Sequence, residues 1–566
     1  MTVYKSSYPS IKVPEESLFS HLFNTRFLDF PPSSYAFIDP NTDLKLTRGD
    51  LRDLCLSFGH GLRYTLRDLG GVHLGRGDVV MAFSPNSIAW PVILLGSVAA
   101  GLRVTLANTS YVSRELEHQW EDSHAKAVIV APPFLPVVLE MFMNIGFSEA
   151  DARKRIILAD WATPHARRSS LYVTMTSLLG GDKLPKEEEF RGKQSSETVL
   201  LCYSSGTTGK PKGVETTHSN AIHLIHMVRP HFPLAETGAD VMLGILPFYH
   251  IYGVVKLLMF PFLCGVPVIV MPKFDPTEFC RNVEKYHVSM SLIVPPVCLA
   301  LIHHPATTKF NMKSLRFMCS GAAPLSDAVV NQTEARFKSV GANTFISQGY
   351  GLTETSPTTH LLPLEDHLRK VGSIGPLLPN LEARLVVEDV EEAKEGEPGE
   401  LWIRGPTVMK GYLNNAEATK NAITEDGWFK TGDVAVRDKE GYYYIVDRRK
   451  ELIKYKGFQV PPAELESVLI QHPEIVDAAV IGVYSEKDAS ELPRAYVVHA
   501  KGLKGDAAAA FGREVQRWIE PRVAKHKLLR GGVVVLDAVP RSAAGKILRR
   551  ELRELAKNEV TAKAKL

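Results

Sequence analysis

The sequence predicts a two-part protein, with a large N-terminal α/β domain, a β-rich subdomain closing it, and a smaller C-terminal α+β unit. Three observations predict this arrangement. The chain has 566 residues, more than one hydrophobic core usually organises. Short apolar strand patterns alternate with helical patterns over the first two thirds. The pattern then changes near residue 371 and again near residue 451.

The N-terminal α/β pattern begins at Asp78, with "DVVMAFSPNSIAWPVILLGSVAAGLRVTLAN". This stretch predicts a strand, a Ser-Pro-Asn turn, an apolar helix that ends near Gly101, and a second strand. Further buried strands between helical segments are expected at "AKAVIVAPP", "VLLCYSS", "VPVIVMP" and "VSMSLIVPP". The most apolar stretches, residues 88–100 and 241–271, are too short or too often interrupted for a bilayer span and are expected in the core.

The C-terminal third contains two further units. "GELWIRGPTVMKGYL" and "GWFKTGDVAVRDKEGYYYIVDR" are alternating strands separated by Gly-type turns, which predicts a β-rich, barrel-like subdomain. From Glu451 onward, the helix "PPAELESVLIQH" alternates with strands "DAAVIGVY", "RAYVVHA" and "GVVVLDAV". The charged segment "DRRKE" joins the two units, so we expect domains at residues 1–449 and 450–566, with a hinge at Lys450.

Composition indicates a folded protein with a small-molecule partner. Hydrophobic residues make up 45% and charged residues 23% of the chain, and Lys plus Arg number 66 against 63 Asp plus Glu. This balance argues against binding to nucleic acid or to an anionic membrane surface. No secretory signal pattern precedes the first predicted strand. Without any CxxC pair, the six cysteines are expected as buried thiols: Cys55, Cys202, Cys264, Cys280, Cys298 and Cys319.

The segment "YSSGTTGKPKGV", residues 203–214, predicts a phosphate-binding loop. Its glycines let backbone N–H groups approach an anion, its hydroxyl side chains add donors, and Lys210 and Lys212 add charge. The loop follows an apolar strand, where ligands of open α/β sheets bind. A triphosphatase loop needs Ser or Thr after its lysine, whereas Pro211 follows Lys210, so a magnesium ligand must come from elsewhere. A flexible linker is the alternative reading.

This loop resembles the signature loop of the adenylate-forming superfamily, which includes acyl-CoA ligases, luciferases and peptide-synthetase adenylation domains. Further segments resemble core motifs of that superfamily, in its order: "LPFYHIYG", "SGAAPL", "QGYGLTET", "GELWIRGP" with "GWFKTGD", "DRRKELIKYKGFQVPPAELE" and "PRSAAGKILRR". Within it, "LIKYKGFQV", "MPKFD" and "HIYG" are most similar to the 4-coumarate:CoA ligase branch and its peroxisomal acyl-CoA ligases. The resemblance implies that the C-terminal domain is mobile.

The resemblance also implies a reaction with two halves. A carboxylate attacks the α-phosphate of ATP to give an acyl-adenylate and pyrophosphate, and the thiol of CoA then displaces AMP. Such chemistry needs positioned charge. Glu354 is expected to hold Mg²⁺, which prefers oxygen ligands; a surface carboxylate is the alternative. The residues implied around the β- and γ-phosphates are Ser204, Ser205, Gly206, Thr207, Thr208 and Lys212.

"SGAAPL" and "GYG" resemble the two walls of an adenine slot, in which Ala322 and Gly349 bring backbone close and Tyr350 stacks on the base. Asp433 is expected to accept hydrogen bonds from the ribose hydroxyls, assisted by Arg448. The remaining residues implied at the nucleotide are Gln348, Thr353, Lys450, Lys454 and Lys546.

Lys546 lies in the small-residue turn "SAAGK", and the resemblance places it between the acid and the α-phosphate during the first half-reaction. A solvated lysine at a helix start is the alternative. The following helix is expected to be amphipathic, with Leu548, Leu552 and Leu555 on one face. For the second half-reaction, the small domain is expected to rotate about Lys450. The residues then implied at CoA are Lys273, Lys456 and Gly457.

The acyl group is expected to lie beside His250, Tyr252 and Ala322, with His250 gating the thiol tunnel. Coumarate ligases commonly have a small polar residue where this chain has Lys256, and an aliphatic residue where it has Thr358. If Lys256 lines the pocket, it would pair with a phenolate or a second carboxylate; if it turns away, its ammonium would reach the surface.

The sequence therefore predicts an ATP-dependent acyl-CoA ligase for an aryl or medium-chain carboxylic acid, with ATP, Mg²⁺ and CoA as its small-molecule partners. The alternatives are a stand-alone adenylation enzyme that loads a carrier-protein thiol, and a catalytically silent nucleotide-binding protein. The final residues Ala564, Lys565 and Leu566 are a variant of the Ser-Lys-Leu peroxisomal address, which predicts a peroxisomal import receptor as a partner. A frayed basic tail in a cytoplasmic protein is the alternative.

Overall fold

The computed structural model describes residues 2–23, 30–161, 171–204, 210–234, 239–388, 391–456, 458–486, 488, 490–542 and 545–563, the last four of these by their backbone alone. Five predicted nucleotide or CoA residues, Ser205, Gly206, Thr207, Thr208 and Gly457, therefore lie outside the described residues, as do Ala564, Lys565 and Leu566.

The strands, numbered in chain order, are β1 (Tyr4–Lys5), β2 (Tyr35–Ile38), β3 (Lys45–Thr47), β4 (Val79–Phe83), β5 (Arg103–Leu106), β6 (Ala125–Val130), β7 (Ile156–Leu158), β8 (Val173–Thr174), β9 (Thr198–Ser204), β10 (Lys212–Thr217), β11 (Met242–Gly244), β12 (Val268–Val270), β13 (Met290–Ile293), β14 (Phe317–Ser320), β15 (Phe345–Gly351), β16 (Thr358–Leu361), β17 (Glu382–Val387), β18 (Glu391–Glu392), β19 (Gly399–Arg404), β20 (Gly411–Tyr412), β21 (Phe429–Arg437), β22 (Tyr443–Arg448), β23 (Ile453–Tyr455), β24 (Phe458–Val460), β25 (Ile475–Ser485), β26 (Ser490–His499) and β27 (Val533–Leu536).

The α-helices are α1 (Leu18–Phe23), α2 (Arg48–His60), α3 (Leu66–Asp68), α4 (Trp90–Ala99), α5 (Ser113–Ser123), α6 (Leu135–Asn144), α7 (Glu149–Arg153), α8 (Met175–Leu179), α9 (His218–Val228), α10 (Ile251–Gly253), α11 (Phe260–Leu263), α12 (Pro276–Tyr286), α13 (Pro295–His303), α14 (Ala306–Lys309), α15 (Asp327–Ser339), α16 (Ala416–Ala422), α17 (Pro462–Leu469), α18 (Gly505–Ile519) and α19 (Arg549–Lys563). A π-helical turn at Val254–Met259 and a 3₁₀ turn at Thr353–Thr355 adjoin the site described below.

Two eight-stranded sheets form the N-terminal domain, in the orders β20-β10-β9-β5-β4-β6-β7-β8 and β16-β15-β14-β13-β11-β12-β2-β3. Neighbouring strands are parallel within β9-β5-β4-β6-β7-β8 and within β15-β14-β13-β11-β12-β2, and antiparallel strands complete each sheet. This arrangement confirms the α/β class predicted from the alternation of strands and helices.

The helix α4 shows why the two sheets form one core. All ten of its residues are buried, so it lacks the polar face of a surface helix. Asn86, in the predicted Ser-Pro-Asn turn before α4, ties the sheets together. Its side-chain amide donates to the carbonyls of Leu246 and Met271 at 2.8 and 3.2 Å, and its Oδ1 accepts from the Phe248 N–H at 2.8 Å.

The predicted β-rich subdomain is a third, antiparallel sheet with the order β1-β17-β19-β21-β22, in which β18 also pairs with β17. Buried Glu400 on β19 holds together the end of this sheet that lies near the hinge. Its carboxylate accepts from the Gly432 N–H at 3.0 Å and from Arg449 at 2.8 Å. Lys450 follows directly, exposed in the connection between β22 and β23. The hinge itself stays a prediction.

The small domain contains β25, β26 and β27 in one sheet, the β23-β24 hairpin, and the helices α17, α18 and α19. One detail of its prediction was wrong. Leu552 is buried in α19, but Leu555 is 41% exposed, and Ala556 occupies the next buried position because it is four residues on from Leu552.

All six cysteines are free and buried, as predicted. In the part of the chain that the structure describes, no helix is both long and apolar enough to cross a membrane.

Candidate active site

The candidate site lies where parallel strands of the second sheet end. The carboxyl ends of β11, β13, β14 and β15 lead into His250, Val294, the segment 320–325 and the segment 352–356, respectively. Ligands of α/β sheets bind at such ends. The sheet order therefore gathers "FYHIYG", "SGAAPL" and "GYGLTET", three motifs spread over residues 248–355 of the chain.

The predicted adenine and ribose residues lie together. Ala322 has a φ of +67°, a left-handed conformation that costs about 1–2 kcal/mol for a residue with a Cβ. Gln348 is buried and accepts from the Leu325 N–H at 3.2 Å, which fixes the loop that contains Ala322. Gly349 and Tyr350 continue the same strand, β15.

Tyr350 and Asp433 are in direct contact across two sheets. The phenol donates to Asp433 Oδ2 at 2.6 Å, and Arg448 Nε lies 3.3 Å from Asp433 Oδ1. Burial raises the pKa of Tyr350 above its usual range, and the Asp433 carboxylate adds to the rise. The stacking of Tyr350 on a base, and the contact of Asp433 with ribose, stay predictions.

Glu354 is held by a residue that sequence reasoning missed. This carboxylate is buried on the 3₁₀ turn, and its Oε1 accepts from the Tyr412 hydroxyl at 2.9 Å. Its backbone carbonyl accepts from the Met409 N–H at 2.8 Å. Lys212 Nζ lies 4.8 Å from the centre of the Tyr412 ring. Tyr412 therefore links the predicted metal ligand to the predicted phosphate-binding lysine.

The two described ends of the phosphate loop are fixed by the first sheet. Ser204 ends β9 and is paired with Lys212, which begins β10, so the two strands form the base of the loop. Tyr203, beside Ser204, donates to Asp122 Oδ2 at 2.6 Å. His118 Nε2 lies 2.8 Å from the Pro211 carbonyl oxygen.

Lys546 of the small domain reaches this site. Burial, and then Arg448, lowers its pKa to about 8, while Asp433, Glu451 and Glu354 favour the charged form. The turn before it packs on the large domain: Gly545 has a φ of +79°, and a Cβ there would lie 3.0 Å from Val294. The lysine is therefore not a solvated residue at a helix start.

His250 and Tyr252 form one wall beside Lys546. Burial, and then Lys546, lowers the pKa of His250 to about 4, so its imidazole is neutral at physiological pH. Its Nδ1 accepts from the Tyr252 N–H at 3.3 Å. The Tyr252 hydroxyl donates to the Cys319 carbonyl at 3.1 Å, and its ring would meet a Cβ at Gly321.

The two residues that depart from the coumarate-ligase pattern are both buried. Lys256 is 3% exposed on the π-helical turn, so its ammonium does not reach the surface. Thr358 is 7% exposed at the start of β16 and pairs with Gly351.

The predicted CoA residues lie elsewhere in this arrangement. Lys273 is exposed in the connection between β12 and α12, and Lys454 and Lys456 are exposed on the β23-β24 hairpin. Lys456 is held within the small domain, where its Nζ lies 3.3 Å from Asp488 and its N–H donates to Ser490 at 2.7 Å.

No sequence signal separated Tyr412, Asp122 or His118 from ordinary residues. Tyr412 stands in the predicted strand "MKGYL", but only the pairing of β20 with β10 places it at Glu354. Asp122 lies 81 residues before its partner Tyr203, so no local spacing connects them.

Comparison with known proteins gives consistent matches over nearly the whole chain. A family model described as AMP-binding enzyme matches residues 26–413, and one described as AMP-binding enzyme C-terminal domain matches residues 464–546. The chain is 35% identical over 570 residues to a probable 4-coumarate–CoA ligase of Dictyostelium discoideum, with 98% of each chain covered. It is 35% identical over 503 residues to a putative acyl-coenzyme A synthetase of Emericella nidulans, covering 86% of this chain and 87% of that one.

Solved structures have the same fold. ATP-bound MatB from Rhodopseudomonas palustris matches with a TM-score of 0.81 and 27% identity, covering 96% of this chain and 99% of that one. An anthranilate CoA ligase in complex with anthranoyl-AMP matches in fold with a TM-score of 0.83 and 23% identity, covering 97% and 99% of the two chains.

Proposed function

Because this chain belongs to the AMP-binding enzyme family of the adenylate-forming superfamily and is an ATP-dependent, AMP-forming acyl-CoA ligase, we propose that its acid is an aryl or medium-chain carboxylic acid. The acid is converted to an acyl-adenylate and then to its CoA thioester. Relatives named as 4-coumarate–CoA ligases support the aryl class. Tyr252 packs against the main hydrophobic core, which supports an apolar acyl group.

The observation that carries the proposed mechanism is the position of Lys546. Its ammonium lies within electrostatic reach of Glu354, which follows β15, of Asp433 on β21, and of His250, which follows β11. As the acid attacks the α-phosphate of ATP, negative charge builds on the phosphoryl oxygens, and Lys546 is placed to stabilise it. Lys212 and Ser204, at the base of the phosphate loop, would hold the departing pyrophosphate.

Glu354 fits a magnesium ligand. Its carboxylate is buried, and among the residues that the structure describes it accepts one neutral hydrogen bond and forms no salt bridge. A buried carboxylate without a cation is costly, and an oxygen ligand suits a hard divalent cation. Bound there, Mg²⁺ would neutralise phosphate charge; Thr353, the preceding residue, would contact the nucleotide.

The second half-reaction requires the small domain to move. In this arrangement Lys546 occupies the site, whereas Lys454, predicted at the nucleotide, and Lys456, predicted at CoA, lie on the exposed hairpin. Rotation about Lys450 would remove Lys546 and bring the hairpin to the acyl-adenylate. Because its imidazole is neutral, His250 would place no charge beside the thiol in the predicted tunnel.

Product analysis tests this function. Purified protein is incubated with ATP, magnesium, CoA and a panel of cinnamic, benzoic and fatty acids, and the products are identified by mass spectrometry. We expect acyl-CoA of one acid class with an equal amount of AMP. The Lys546→Ala variant, prepared in parallel, is the control for contaminating ligases.

Three other outcomes would contradict the proposal or part of it. Acyl-adenylate without thioester would indicate a carrier-protein thiol as the acceptor, and ATP binding without AMP formation would indicate a silent nucleotide-binding protein. Thioesters formed only from long-chain acids would refute the proposed acid class while leaving the ligase activity intact.

A further inference from the structure

Lys256 is a buried cation with no anionic partner among the residues that the structure describes. Its side chain is 3% exposed, and in the described part of the chain no carboxylate lies within salt-bridge distance of its Nζ. Lysine is almost never fully buried unless it is paired, because removing an ammonium from water is costly. Lys370, the other lysine buried among the described residues, follows this rule: it pairs with Asp438 at 2.7 Å and with Glu440 at 2.6 Å.

Lys256 lies on the acyl wall of the site. It stands four residues after Tyr252, so the two side chains share one face of the helical segment. The Tyr252 hydroxyl bonds the Cys319 carbonyl, and Lys256 is within electrostatic reach of the same Cys319. Cys319 Sγ in turn lies 3.8 Å from where a Cβ at Gly349 would stand. Lys256 therefore follows His250 and Tyr252 along the same helical segment, on the face that Tyr252 shares.

The surroundings of the ammonium are aromatic. Its Nζ lies 5.2 Å from the centre of the Phe232 ring and 4.7 Å from that of Phe260, and these two rings pack edge-to-face with centres 5.1 Å apart. Cation–π contacts offset only part of the desolvation cost. Burial accordingly lowers the pKa of Lys256 to about 8, so a large fraction of the side chain is still charged near neutral pH.

We propose that Lys256 binds a second carboxylate at the far end of the acid, so that the preferred substrates are aryl or medium-chain dicarboxylic acids. This inference rests on the proposed function. One carboxylate of the substrate is activated beside Lys546, and the other pairs with Lys256 without reacting. A carboxylate fits better than a phenol, since its pKa of about 4 keeps it ionised at neutral pH whereas a phenol of pKa about 10 is neutral.

The first test uses the wild-type protein and matched acids. Adipic, suberic and 4-carboxycinnamic acids are compared with hexanoic, octanoic and 4-methylcinnamic acids, and 4-hydroxycinnamic acid with cinnamic acid. We expect kcat/KM for each diacid to exceed that of its matched monoacid by roughly tenfold or more, as for a hydrogen bond to a charged group. Wild-type preference for the monoacids would overturn the proposal.

The second test removes the charge. Lys256→Met keeps the length of the side chain without its ammonium, and Lys193→Met makes the same change at an exposed lysine. We expect Lys256→Met to abolish or reverse the diacid preference, because the second carboxylate would then be buried alone, and Lys193→Met to leave it unchanged. A diacid preference that survives in Lys256→Met, or a change confined to the phenol pair, would overturn the proposal.

Failure of the proposed function has a different signature. If no acid yields acyl-CoA, the ligase proposal fails as a whole. If monoacids yield acyl-CoA and diacids do not, only the role of Lys256 fails. The wild-type comparison requires no substitution, so the inference is testable even if Lys256→Met does not fold.

Discussion

Tyr412 offers a sharp test of how the site is organised, because one side chain makes two separable contacts. Its hydroxyl donates to Glu354 at 2.9 Å, and its ring lies 4.8 Å from Lys212 Nζ. Tyr412→Phe removes the hydroxyl and keeps the ring. Tyr412→Ala removes both, so the two substitutions separate the support given to Glu354 from that given to Lys212.

The magnitudes follow from the types of contact. A hydrogen bond to a charged group contributes about 1.5–3 kcal/mol, which corresponds to roughly a 10- to 100-fold effect if Glu354 must be held in place for catalysis. A cation–π contact contributes about 0.5–1 kcal/mol at an exposed site, a further factor of roughly two to five for Tyr412→Ala. The backbone bond from Met409 to Glu354 remains in both variants, so the turn should persist.

Pyrophosphate release is measured against magnesium concentration at saturating acid and ATP. For Tyr412→Phe we expect a higher magnesium requirement, with much of the rate restored at high magnesium, because the freed carboxylate still binds the ion but is no longer positioned. Tyr484→Phe, at a tyrosine that is 70% exposed, is the control. A Tyr412→Phe enzyme that matches wild type at limiting magnesium would refute the assignment of Tyr412 and Glu354.

Four further predictions concern other parts of the chain. Lys546→Ala should slow adenylation by the equivalent of roughly 3–4 kcal/mol and spare thiolysis of supplied acyl-adenylate; equal loss of both would contradict its role. Lys450→Pro should hold one domain arrangement and reduce overall turnover more than the favoured half-reaction, and unchanged turnover would exclude the hinge. Burial lowers the pKa of Lys256 from 10.5 to about 8, a difference of about 3 kcal/mol. Since the unfolded chain binds more protons between those values, the excess stability of Lys256→Met over wild type in denaturant unfolding should disappear as pH rises through that window, and a constant difference would contradict the burial argument. Removal of residues 564–566 should shift a tagged protein from peroxisomes to the cytosol, whereas unchanged peroxisomal import would reject the address.

The sequence predicted the fold well wherever a periodic pattern dictates structure. The apolar run before Asn86 is β4, and the apolar stretch after it is the fully buried α4. Such continuous hydrophobic patterns are compatible with few structures other than buried strands and helices. The two breaks in pattern also correspond to the third sheet and the small domain. The exposure of Leu555 was not predicted because residues three and four positions after Leu552 both lie near the same face of a helix. Either Leu555 or Ala556 could therefore have been the next buried residue.

The site was predictable only where a motif placed residues in a known order. Lys546, Asp433 and His250 lie far apart in the chain but within electrostatic reach in the structure, and their roles stay predictions. Tyr412 and Asp122 were not predictable, since their roles arise from strand pairings and not from neighbouring residues. Lys256 was singled out by sequence, but its burial, without an acidic partner in the described part of the chain, depends on tertiary packing.

The contacts around Lys546 indicate that, if Lys546 leaves the site between the half-reactions, we expect the whole small domain to move and not a local loop. Lys546 is fixed to its own domain: its carbonyl accepts from the Ser542 N–H at 2.8 Å, and Arg541 bonds both the Gly545 carbonyl at 2.8 Å and Asp477 on β25 at 2.7 Å. Its contacts with the large domain, by contrast, are van der Waals packing of Gly545 on Val294 and electrostatic attraction. Separating Lys546 from the large domain therefore costs less free energy than breaking its hydrogen bonds within the small domain. The lysine should therefore leave the site as part of a rigid domain, which makes Lys450 the natural place for the backbone to turn.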